Sequence, residues 1–316
     1  MQPLKMSQNA PALVTAASPF DKQSADLVLQ TSDGVAFHVW RCILAEASPV
    51  FADMFSLAAR TSVSSATRAP GPPEENTTLN VPETSRTVYD LLRMCNPPPH
   101  AQFESLDKLK PVLAAAHKYQ MDGVMSLLAS LLLEYAADAP LRVYAIATQY
   151  DLHDVMSSAA RRFLVHKWAL DDYVAELDDI SAGAYQRLLA YRKECAAAIA
   201  EMCTGLSWLV DSGWTFMQCQ SCPRDTATPA CRLRDSDTDR KPTTWFWQHY
   251  ERMATLLQER PCSETLSDPL LINQALKIAI LCKTCMVPVH EHMLRFMHKM
   301  RKEVSQRISE IKLDIK

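Results

Sequence analysis

Between Ser24 and Leu57 the period of the hydrophobic pattern changes abruptly, and few folds accommodate that order. Across residues 25–30 and 35–40 apolar side chains recur at every second position, which predicts two half-buried strands. Thr31-Ser32-Asp33-Gly34 between them supplies the positive φ angles that a tight hairpin turn needs. Ile43, Leu44 and Ala47 then step at helical spacing. Ser48 provides a side-chain cap, Pro49 is preset for a first helical turn, and Val50, Phe51, Met54 and Phe55 form the next apolar stripe. The expectation is strand, turn, strand and two helices.

That segment, from Asp26 at the start of the first strand to Ile43-Leu44-Ala45-Glu46-Ala47-Ser48-Pro49-Val50-Phe51, resembles the BTB/POZ domain. Phe37, Arg41, Leu44, Ser48, Phe51, Met54 and Phe55 fall on the family's pattern, whereas Trp40 stands where the family usually has histidine. Ala116-His117-Lys118-Tyr119-Gln120-Met121, followed by Val124, Met125, Leu127, Leu128, Leu131 and Leu132, is similar to the family's closing helices. The resemblance is closest to the expanded BTB set of mushroom-forming fungi. It implies an α+β domain, a small β-sheet flanked by helices, over residues 23–135. In dimeric members of the family the acidic residue opening the first strand and the basic residue after the histidine position meet in a charged pocket beneath the dimer interface. The resemblance assigns those places to Asp26 and Arg41; the plainer reading is a local surface pair worth about 0–1 kcal/mol.

Length and composition admit a second domain. The chain has 316 residues, 48% of them hydrophobic and 22% charged, enough for two cores. A net charge of -3 supplies no global attraction for nucleic acid or an anionic membrane. The six glycines are too dispersed for a phosphate-cradling loop, and no stretch approaches the roughly 20 apolar residues of a membrane helix. No signal peptide is evident at the N-terminus, so an intracellular protein, cytoplasmic or nuclear, is expected. In a reducing compartment the ten cysteines are core fillers, reactive thiols or metal ligands, not a disulfide framework.

Residues 1–22 read as a flexible leader, and 60–78, rich in Ser, Thr and Pro, as a mobile loop inside the BTB segment. A short strand is expected at 78–81, then a helix capped by Ser85 that carries Val88, Leu91, Leu92 and Cys95 and is ended by Pro97-Pro98-Pro99, and another helix from Ser105 to Tyr119. Beyond Tyr135 the strand signal ends and a mostly α-helical C-terminal region follows. It divides by composition into a helical extension at 136–204, including a helix pair opened by Pro140, and a Trp- and Cys-rich helical domain at 205–316. Met293, Met297, Met300, Val304, Ile308 and Ile311 form a stripe too short for a coiled coil, which reads as a face packed on its own domain.

One motif carries site chemistry of its own. Cys219-Gln-Ser-Cys222 and Cys282-Lys-Thr-Cys285 are two CxxC pairs, each able to aim both sulfurs at one point, and together they would complete the tetrahedral thiolate shell that zinc favours. Compact zinc fingers separate their pairs by about 12–20 residues, and nearly three times that lies here, so such a site would staple two remote segments. Buried unpaired cysteines and a redox CxxC are the alternatives. Cys231, Cys262, His290 and His292 are spare ligand candidates, each read as a bystander. His38, His117, His153 and His249 lie in patterned segments without a nucleophile or paired carboxylate and read as packed or surface histidines.

The sequence therefore points to a non-enzymatic interaction protein with no catalytic residues and no small-molecule substrate. The resemblance implies a BTB homodimer acting as adaptor or scaffold, with a cullin-type ubiquitin ligase as one expected partner. A BTB-type transcriptional regulator is the alternative, and a metal- or thiol-dependent enzyme a remote one.

Overall fold

A computed structural model describes residues 14–63, 77–96, 100–167, 173–224 and 226–315. The chain divides into two compact units, one ending at Tyr135 and one beginning at Ala136. The first is an α+β unit, the second helical.

In the first unit, strands β1 (Val14–Thr15), β2 (Leu27–Gln30), β3 (Val35–Val39) and β4 (Thr77–Asn80) form a sheet in the order β1-β3-β2-β4. The hairpin partners β2 and β3 run antiparallel, with Leu29 opposite Phe37, and β1 and β4 add parallel strands at the two edges. Gly34, at φ +81°, closes the hairpin, and the backbone N–H groups of Thr31 and Gly34 donate across the turn. Asp33 accepts from the hydroxyls of Thr31 and Ser85 and from the Ser85 backbone N–H. These bonds, the Ser85 hydroxyl foremost, hold its carboxyl down at about 2 and tie the turn to the next helix.

Among the described residues of this unit, five helices follow: α1 (Arg41–Ala47), α2 (Pro49–Val63), α3 (Ser85–Cys95), α4 (Leu106–Lys118) and α5 (Asp122–Glu134). Ser48 is fully buried; its hydroxyl accepts from the N–H of Phe51, capping α2, and donates to the carbonyl of Tyr119 at 2.5 Å. Phe51 stacks on Tyr119 with centroids 4.6 Å apart, so one serine and one aromatic pair lock α2 to the end of α4. Leu27, Leu29, Phe37, Leu44, Leu109, Leu113 and Leu128 fill the core.

Three local expectations are revised. The chain before residue 23 is not wholly a loose leader: β1 pairs with β3, and Phe20 is buried with its ring 5.9 Å from Phe37 and 5.5 Å from Tyr89. The expected loop at 60–78 is shorter, since α2 runs to Val63 and β4 begins at Thr77; residues 64–76, like 1–13, lie outside the described residues. The cap of α3 is Thr84, whose side chain accepts from the Thr87 N–H, and Ser85, expected as the cap, is the first helical residue.

The second unit contains α6 (Pro140–Gln149), α7 (His153–Phe163), α8 (Ala182–Met202), α9 (Thr215–Gln218), α10 (Thr244–Glu259), α11 (Asn273–Ala279) and α12 (Val289–Glu310), with short 3-10 turns between. Residues 136–204 and 205–316, which composition separates, form one body, because α8 packs on α7, α10 and α12 through Leu188, Tyr191, Cys195, Ile199 and Met202. Arg192 fastens the same junction, donating to the carbonyls of Phe163 and Glu259. Trp214, Phe216, Phe246, Tyr250 and Phe296 interlock at its centre, with Phe216 and Phe246 stacked at 3.7 Å. The methionine stripe of α12 is buried here as Met293, Met297, Met300, Val304 and Ile308, while Ile311 lies just past the helix end and is half-exposed.

Candidate functional site

The two CxxC pairs sit on turns that the aromatic core brings together. The short helix α9 runs directly into Cys219, whose N–H donates to the carbonyl of Thr215. Arg224 closes that turn by donating to the carbonyls of Met217 and Cys219 at 2.9 and 2.8 Å. Thr243 and Thr244 donate backbone N–H groups to Phe216 and Pro223, fastening the turn to the start of α10. The second pair lies between α11 and α12: Cys282 accepts from the N–H groups of Cys285 and Met286, and Cys285 accepts from Val289, the first residue of α12. The two turns are linked by His292 on α12, whose Nδ1 accepts the N–H of Thr215 at 3.0 Å. That bond requires an unprotonated nitrogen, and burial lowers the pKa of this imidazole accordingly.

The result is a four-sulfur cluster. Cys219 and Cys282 Sγ lie 3.7 Å apart, Cys222 and Cys285 Sγ 3.6 Å apart, and all four sulfurs fall within 4.8 Å of one another. No disulfide joins them. A metal–sulfur bond of about 2.3 Å in tetrahedral geometry places ligand sulfurs about 3.8 Å apart, so the two cross-pair edges already have the spacing of a tetrathiolate ion. Cys219 and Cys285 are buried, Cys222 and Cys282 half-buried. Accepted hydrogen bonds, led by the Cys285 backbone N–H, lower the Cys282 thiol to about 6, while burial pushes Cys222 up to about 11 and Cys285 upward as well. Without a cation the cluster thus yields the Cys282 thiolate readily and resists ionising Cys222 and Cys285; a bound ion supplies the charge that releases them. The cluster could hold a metal.

Among the described residues no other group of three or more histidine, cysteine or acidic side chains has such spacing. The spare candidates lie elsewhere in function. Cys231 pairs its backbone with Arg240, Cys262 contacts the Thr265 hydroxyl, His290 is exposed, and His292 is the linking acceptor described above.

In the first unit Asp26 and Arg41 are neighbours, joined through the backbone: Asp26 Oδ1 accepts the Arg41 N–H at 2.8 Å and caps α1, whose own N-cap position, Trp40, cannot. The Arg41 guanidinium instead donates to the Thr77 hydroxyl and lies 5.8 Å from the centre of the Phe55 ring. No ion pair joins the two side chains among the described residues. Trp40 is 39% exposed, and on α2 Met54 and Leu57, spaced at i and i+3, are 40% and 61% exposed. The sequence places Met54 in one apolar stripe with Phe51, and nothing local separates its exposed face from the buried one.

Residues 18–135 match the BTB/POZ domain family, and the chain carries a BTB/POZ domain there, an interaction module built on the sheet and helices described above. The match ends where the first unit ends, and the helical unit with its four cysteines lies beyond it. No curated protein matches the chain. Among the described residues no helix is long and apolar enough to cross a membrane.

Proposed function

We infer that the protein is a non-enzymatic adaptor in which the BTB domain self-associates and the helical unit, stapled by one zinc ion on Cys219, Cys222, Cys282 and Cys285, holds a partner. A cullin-type ubiquitin ligase is the assembly such an adaptor would join, with the BTB domain docking the cullin. The observation that carries this reading is the pairing, in one chain, of an interaction domain with a separate compact unit whose four sulfurs converge. Four sulfur donors saturate a tetrahedral ion and leave no open position for a substrate or an activated water, which is the arrangement of a structural centre. The exposed apolar pair Met54 and Leu57 supports self-association through α2. In this reading Asp26 and Arg41 set the position of α1 beneath that surface, and zinc supplies folding free energy to a unit whose two turns are remote in sequence.

The test is light scattering on the full chain, followed by titration with the purified N-terminal region of a cullin. Twice the chain mass and saturable cullin binding are expected. A monomer at high micromolar concentration rules out self-association, and a dimer that ignores cullin removes the ligase role while leaving the adaptor.

A further inference from the structure

The two CxxC turns face each other in register, with residues opposed at a constant offset of 63 positions. Cys219 Sγ lies 3.7 Å from Cys282 Sγ, the Ser221 hydroxyl 3.3 Å from that of Thr284, and Cys222 Sγ 3.6 Å from Cys285 Sγ. These contacts make a short ladder whose outer rungs are sulfur pairs. A disulfide is about 2.0 Å long, so closing either rung brings each sulfur about 0.8 Å inward. The turns themselves are held through other atoms: Arg224 on the first, the Cys285 and Met286 N–H groups on the second, and the bond from Thr215 to His292 between them.

Both rungs are asymmetric in the same sense. Each joins a sheltered sulfur to an accessible one: Cys219 is buried and Cys282 half-buried, Cys285 is buried and Cys222 half-buried. The two accessible cysteines line an open groove of about 550 Å3, wide enough for a small oxidant to reach them. An accessible thiol oxidised beside a sheltered one condenses with it into a disulfide; without such a neighbour the sulfur goes on to sulfinic acid.

We propose that the four cysteines form a peroxide-responsive modification site that closes into two cross-turn disulfides, Cys219–Cys282 and Cys222–Cys285. Cys282 Sγ attacks one oxygen of hydrogen peroxide, the O–O bond breaks, and the departing hydroxide takes a proton to become water. Cys219 Sγ then attacks the sulfenic acid, making the S–S bond as the S–O bond breaks and a second water leaves. Two thiols and one peroxide become one disulfide and two waters, with two electrons passing from sulfur to oxygen; protons that an ion has displaced come from solvent. A second peroxide closes the other rung in the same way, starting at Cys222. Disulfide sulfurs are neutral, so closure removes the donors that would hold a cation. Bonds within either CxxC pair would leave the turns unlinked, whereas each cross-turn bond joins the two remote segments that the ion joins. The helical unit therefore keeps its fold as it gives up its metal. The proposal rests on the zinc reading for the ion alone; the connectivity stands on the sulfur geometry.

The experiment treats the full chain, purified under reducing conditions and then freed of reductant, with two equivalents of hydrogen peroxide. A chromogenic chelator follows zinc release, alkylation counts thiols, and mass spectrometry of proteolytic peptides maps disulfides, with fragmentation between Cys219 and Cys222 assigning each sulfur. Loss of all four cluster thiols, release of the zinc, the two cross-turn disulfides and a retained cooperative melt of the helical unit are expected; dithiothreitol with added zinc should reverse them. The exposed Cys42 serves as control and should enter no disulfide within the chain. Disulfides Cys219–Cys222 or Cys282–Cys285, sulfinic acid at Cys222 or Cys282 in place of a disulfide, or loss of the cooperative melt on oxidation overturns the proposal. So does a zinc-loaded protein that keeps all four thiols, which leaves the zinc reading intact. A protein that purifies without metal yet forms the cross-turn disulfides sinks the zinc reading instead and supports the connectivity.

Discussion

His249 shows how far a single side chain can be separated from water in this protein. It sits on α10 only 1% exposed, and both ring nitrogens are buried without a hydrogen-bond partner. Burial, with the nearby Arg252 charge second, lowers its pKa from 6.5 to about 4. The imidazole is therefore neutral when folded, whereas the unfolded chain takes up a proton at the ordinary value. Its contribution to stability is complete above pH 6.5 and is lost as pH falls toward 4, a change of about 3 kcal/mol over that window. Thermal unfolding of the helical unit should show this slope, and His249→Leu should flatten it; equal slopes in the two proteins would place the imidazole in contact with water. The sequence reading allowed His249 to be packed or exposed. Its neighbours Trp247 and Tyr250 gave the apolar context, but nothing local reveals that no acceptor reaches the ring. His117 and His153, in equally patterned segments, turn out to be exposed.

At the scale of elements, α2 carries the most direct consequence for assembly. Phe51 faces inward on Tyr119, and Met54 and Leu57 face out. If the chain self-associates through this face, replacing Met54 and Leu57 together by Glu should leave a monomer with little loss of stability, because both are exposed in the single chain. Analytical ultracentrifugation would read this; a persistent dimer would move the interface to another surface. The hairpin, α1 and α2 were legible because their pattern is local: period two, a turn closed by Gly34, then period three to four behind a serine cap. The edge strands were less so. β1 is two exposed residues whose partner is β3, and β4 pairs in parallel with β2 across the α1–α2 segment, pairings that no periodicity within either strand encodes. Phe20 likewise looks like part of a tail until Phe37 and Tyr89 are folded around it.

Taken as a whole, the molecule joins a BTB/POZ domain to a helical unit centred on aromatic rings and four cysteines. The cysteine spacing was plain in the sequence, but convergence was not, since it depends on the packing of α9, α10 and α12 around Phe216, Phe246 and Phe296, with His292 joining one turn to the other. If one zinc holds the cluster, Cys→Ser at any of Cys219, Cys222, Cys282 or Cys285 should remove most of the cooperative unfolding of the helical unit and spare the BTB domain. A second substitution should then add little. Modest, additive losses on differential scanning calorimetry would return the cysteines to the role of core fillers. The most direct single measurement is native mass spectrometry of the full chain, which reads assembly and metal together. The account predicts a species of twice the chain mass carrying two zinc ions; a metal-free species with all four thiols freely alkylated, or a single chain at micromolar concentration, would contradict it.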